Sequence, residues 1–236
     1  MTYAIVNLGE NLAALAQTVG LHGLAPDSFV GLRRSELDYR GWWRFPAAEA
    51  IGRHVPLNLP VDAFLDRCLS INKLAVERLV EQSLRKTLHA MGVPPKEIEK
   101  LRTLKLLDCV VRMCQVACAS GLSLTTSGAE IWQRLSESGT DPPQPITSMF
   151  ALYDMRILKA HSSDDQAKLA NCLGQFHIDP SETAAVYGPI LDRIYDALIA
   201  EFGSVNEKVS EILIRDTALL PRVSPPGGSP RGGSLG

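Results

Sequence analysis

Arg156 and His161 stand five positions apart in the stretch LYDMRILKAHSS, residues 152 to 163. Together they carry the two abilities that metal-free cleavage of a phosphodiester needs. Histidine is the side chain whose ordinary pKa suits proton transfer near neutrality. Arginine is permanently charged and grips a phosphate through two N–H groups at once. Attack by a 2′-hydroxyl would use the first to move protons and the second to stabilise the charged phosphorane. On a regular helix a five-residue offset puts two side chains roughly 140° apart. The pair therefore meets only if the helix loosens or ends near His161, or if a second copy of the helix packs against the first. A dimer would bring two arginines and two histidines to one cleft. The plainer alternative is an arginine paired with Asp154 or Asp165, and a histidine at a helix C-terminus, where its charged form is favoured.

Other chemistry is sparse. His22, His54, His89 and His177 have no partner at a useful spacing, and His89 reads as a helix-end residue. Of the five cysteines, Cys109, Cys114 and Cys118 cluster on one helical segment. Their neighbours Val110, Val111, Met113, Val116 and Ala117 are apolar, so they read as small buried hydrophobes and no metal site is expected. No phosphate-binding glycine loop, nucleophile elbow or zinc-hydrolase motif occurs, and no cofactor is expected. Asp164 and Asp165 fall at a helix start, where the helix dipole accounts for them.

The motif helix LYDMRILKAH resembles the R-x(4-6)-H motif of the HEPN superfamily, the "higher eukaryote and prokaryote nucleotide-binding" helical domains. The upstream order also fits: a long hairpin, a shorter helix, a loop and then the motif helix. The resemblance covers about residues 60 to 202. It implies a four- or five-helix bundle that dimerises along the motif helix. It also implies a metal-independent ribonuclease of a defence or stress system, with Arg156 and His161 at the matching positions and RNA as substrate. The chain departs from the active pattern at Ile157, where a polar residue is common, and at Ser162-Ser163, where a glycine is. Many members of the family are binding modules without catalysis.

The elements that must position this pair are helical. Apolar residues recur at steps of three and four from 60 to 91, through Phe64, Cys68, Ile71, Leu74, Leu84 and Leu88. Gly92 ends that helix, Pro94 and Pro95 open the next, and Lys96 to Ser120 continues it until Gly121. A short link between two long helices predicts an αα-hairpin. Further helices are expected over about 126–137, 146–161, 164–173, 179–202 with a kink at Gly188-Pro189, and 205–213. AIVNL near the start is the sole strand candidate. The fold class is all-α: an antiparallel helical bundle over 59–220, preceded by an irregular arm over 1–58 with short helices near 10–19 and 46–53. A Pro/Gly/Ser tail over 221–236 should be disordered.

Composition narrows the classes further. The 236 residues are 45% hydrophobic with a net charge of −2, ample for a core but without a global positive field to hold nucleic acid. No run is long and apolar enough to span a membrane, and the first residues lack a basic leader, so a cytoplasmic chain with reduced thiols is expected. Trp42, Trp43 and Phe45 cluster in the arm. They either pack it onto the helical body or form a contact surface for a partner. Two functions follow: a HEPN-like ribonuclease, or a non-catalytic helical module that binds another protein.

Overall fold

A computed structural model describes residues 1–44, 49, 51–138, 144–160, 166–179 and 187–219. Every regular element among them is helical. In chain order they are α1 (Thr2–Thr18), α2 (Asp27–Val30), α3 (Arg34–Arg40), a 3-10 turn at Trp42–Arg44, α4 (Val61–Ala75), α5 (Glu81–Ala90), α6 (Pro95–Ile98), α7 (Thr103–Ser120), α8 (Leu124–Ser138), α9 (Thr147–Ala160), α10 (Gln166–Gln175) and α11 (Tyr187–Leu219). The 221–236 tail lies outside the described residues.

The longest helix, α11, is the spine. It packs against α1 and α7 and touches α4 and α9. Phe202, Val205, Val209 and Ile212 are buried along it. The spacing predicted two helices here, divided near Phe202. The continuous apolar stripe carries the helix through Gly203 and Ser204, because tertiary packing outweighs their weak propensity. α11 is described from Tyr187, two residues before Pro189, and the helix start expected near 179 lies at the edge of residues outside the described ones.

The N-terminal stretch is more regular than its sequence suggests. AIVNL, the strand candidate, is the first part of a 17-residue helix that starts at Thr2. Ile5, Leu8, Leu12 and Leu15 repeat at helical spacing, and each is essentially inaccessible to solvent. Burial of that face on α11 decides the outcome over the β-propensity of Ile5 and Val6. Asn11 and Asn206 lock the contact: Asn11 Nδ2 donates to Asn206 Oδ1 at 2.8 Å, and Asn206 Nδ2 donates to the Ala4 carbonyl at 3.0 Å.

The helix expected over 60–91 is two helices, α4 and α5, with a break from Val76 to Val80. The break docks on the end of α2. Val80 N–H donates to the Phe29 carbonyl at 2.8 Å, Ser83 Oγ to the Ser28 carbonyl at 2.6 Å, and Arg78 Nη1 to the Gly31 carbonyl at 3.1 Å. These partners replace the helical bonds that a straight helix would need. The arms of the hairpin that pack together are α5 and α7.

Two arginines fasten the corners. Arg85 donates to the carbonyls of Ile98 and Leu101 and pairs with Glu81, fixing α6 onto α5. Arg215 on α11 donates to the Ala117 carbonyl at 2.6 Å and to the Leu122 carbonyl, the open end of α7. Asp216, 3% exposed, accepts from Leu124 N–H at 2.8 Å and Ser123 Oγ at 3.0 Å, the start of α8. One dipeptide thus satisfies both sides of the α7–α8 corner, where the chain turns by 102°. Gly128 lets α8 cross the end of α5, since a Cβ there would lie 1.9 Å from the Met91 carbonyl oxygen. No single helix is long and apolar enough to cross a membrane among the described residues.

Candidate functional site

Arg156 projects from α9, which is held between α4 and α10. Ser148, Met149, Ala151, Leu152, Met155 and Leu158 bury the inner face. The start of the helix is capped by Glu201 from α11, whose two carboxylate oxygens accept from Ser148 N–H at 2.7 Å and Met149 N–H at 2.9 Å. Burial pushes the Glu201 carboxyl up to about 6 against those bonds, which hold it down.

The partner of Arg156 is Glu77, at 2.9 Å from its Nε, with both side chains about two-fifths exposed (39% and 40%). Neither Asp154 nor any other residue of α9 takes that role, and Asp165 lies outside the described residues. Glu77 is itself positioned in the α4–α5 break: its N–H donates to the Asn72 carbonyl, and Asn72 Nδ2 donates back to its Oε1 at 3.2 Å. The guanidinium also lies over the Tyr153 ring, 5.6 Å from its centroid. One turn on, Lys159 pairs with Asp62 at 2.5 Å and Asp66 at 3.0 Å. The cationic side of α9 therefore faces acids of α4 and of the break. His161 lies outside the described residues, so its place relative to Arg156 is not part of this geometry. His22, His54, His89 and His177 are exposed.

Trp42 and Trp43 form the second candidate. Their rings meet edge to face at 6.1 Å and are 39% and 59% exposed, so neither is absorbed into the body of the fold. Gly41, with φ 76°, makes the turn out of α3. The Trp43 ring lies directly on its Cα: a Cβ on residue 41 would come within 2.5 Å of the ring. Tyr39, 89% exposed, and exposed Arg40 precede them. Arg40 makes no ion pair among the described residues, whereas Arg33 and Arg34 are held by Asp27 and Glu10. Phe45 lies outside the described residues.

The cysteines are unpaired thiols. Burial pushes Cys68 and Cys114 far up and Cys109 and Cys172 up to about 11, so all four stay protonated at neutral pH. Among the described residues no group of three or more side chains is arranged to hold a metal.

One feature had no sequence signal. A cleft of 530 Å³ opens between α7, α9 and α10. Its charged lining residues are Lys105, Asp108 and Asp154, with Gln144, Asn171 and Gln175 beside them. Asp108 and Asp154 are 46 positions apart on different helices, a pairing that no local pattern encodes. The chain matches no family model, no curated protein and no solved structure.

Proposed function

We propose that this chain is a helical interaction module that binds a protein partner through the Tyr39–Trp43 surface. The observation that carries the reading is the exposed Trp42–Trp43 pair, seated on Gly41 and flanked by exposed Tyr39 and Arg40. Tyrosine, tryptophan and arginine dominate the energetic centres of protein interfaces, because they offer large contact area with few rotatable bonds. The contact of Trp43 with Gly41 fixes the ring in advance, which lowers the ordering cost of binding. Arg40, with no acid beside it among the described residues, asks for a carboxylate on the partner. A photo-crosslinking amino acid placed at Trp43 in the native cell should give one discrete adduct. The same group at Ile214, an exposed apolar position on α11, should not give that adduct.

A second reading keeps the HEPN-like ribonuclease, acting as a homodimer through α9. It rests on Arg156: Glu77 engages its Nε, which leaves the Nη groups for a phosphate among the described residues, and Tyr153 and Ile157 lie beside it on the outer face of α9 with 38% exposure each. Cleavage of RNA in EDTA by a dimer, abolished in R156A and H161A, would establish that reading. Its absence from folded protein would remove it.

A further inference from the structure

We infer that the cleft between α7, α9 and α10 binds a small organic cation, an alkylammonium or alkylguanidinium, held by the carboxylates of Asp108 and Asp154. The volume, 530 Å³, falls in the range of small-molecule sites. The two acids are poorly neutralised by the protein. Asp108 is 13% exposed, and its nearest cation is Arg112 at 4.0 Å, the outer limit of an ion pair. Its Oδ1 is enclosed without a hydrogen-bond partner among the described residues. Asp154, exposed at the mouth, makes no ion pair or hydrogen bond among them.

Lys105 is the one cation of the described lining, so the wall carries an excess of one negative charge. The remaining lining suits an N–H-rich head on an alkyl body. Gln144, Asn171 and Gln175 supply amide carbonyl acceptors, and Leu101, Ala151 and the Phe150 ring supply apolar wall. Cys109 and Cys172, as protonated thiols, add no charge. A cation in the cleft would give Asp154 a counter-charge and add a second one for Asp108 beside the distant Arg112, at a site where desolvation strengthens the attraction.

Agmatine, which carries both kinds of head, is the probe, titrated by calorimetry into the full chain at neutral pH. Saturable binding is expected, weakened about tenfold or more in each of D108N and D154N. It should be unchanged in E130Q, an exposed acid on α8 outside the cleft lining. Putrescine and butylguanidine, run separately, tell which head the cleft prefers, and neutral 1,5-pentanediol should not bind. Asp154 is exposed, so D154N tests the site without threatening the fold. Absence of saturable heat, or equal affinity in D154N and E130Q, overturns the inference.

Discussion

Arg156 of α9 and Glu77 of the α4–α5 break meet at 2.9 Å across 79 positions of sequence. The contact joins the helix that bears the Arg–His motif to the turn that divides the helix expected over 60–91. It also fixes the orientation of the guanidinium, with Tyr153 beneath it. Both side chains are well exposed, so the pair orients more than it stabilises. A double-mutant cycle of R156Q and E77Q, read by urea unfolding, is expected to give a coupling of about 0.5 kcal/mol that shrinks with added salt. A coupling several times larger would mean that the pair holds α9 in place.

The Arg215–Asp216 clamp should behave differently. Asp216 is buried and accepts from both Ser123 and Leu124. D216A leaves the first amide of α8 without its acceptor and removes the carboxylate beside Arg215, which keeps its two backbone carbonyls, and is expected to cost about 2–3 kcal/mol in urea unfolding. A loss below about 0.5 kcal/mol would show that the corner is held by its apolar contacts instead.

Gly128 sets the separation of α8 and the end of α5. G128A places a methyl group against the Met91 carbonyl, and backbone on both sides must shift to admit it. A loss of about 2 kcal/mol or more is expected, although alanine is the better helix former. An unchanged thermal midpoint would contradict the close crossing.

Asp108 and Glu201 are both raised to about 6, chiefly by burial, with Arg112 and two backbone amides opposing it respectively. In the window between the ordinary carboxylate range and about 6, the folded chain binds more protons than the unfolded one at these sites. Their contribution to stability therefore rises as pH falls from about 7 through 6, and levels off below about 4. D108N removes its share of that slope and is expected to stabilise the fold at neutral pH by on the order of 1 kcal/mol. Denaturant midpoints at a series of pH values check this. A D108N slope identical to wild type would contradict the assignment. The same variant separates lost ligand binding from lost folding, since it should bind agmatine poorly while unfolding later.

The sequence made the helical class legible because apolar spacing at three and four residues is a local property. The heptad-like run through Phe64, Cys68, Ile71 and Leu74 reads directly, and Gly121 marks the end of α7. The break at Val76–Val80 did not read, because its cause is the docking of Val80 on Phe29, 51 positions earlier. AIVNL misled because two β-branched residues dominate a short window, while the face that buries them is completed only by α11. Arg156 was singled out by its spacing to His161, yet its partner Glu77 comes from another element. The cleft acids Asp108 and Asp154 were invisible for the same reason: helix packing, rather than sequence proximity, brings them to one cleft. Trp42 and Trp43 were legible as a cluster, but only the structure could separate a packed arm from an exposed surface.

The measurement that tests the central claim most directly is photo-crosslinking from position 43 in the native cell, repeated with W42A and R40A in the same chain. One discrete protein adduct is expected from position 43, diminished by either substitution and absent from the Ile214 control. No adduct at all, or the same set of adducts from both positions, would contradict a partner-binding surface at Tyr39–Trp43.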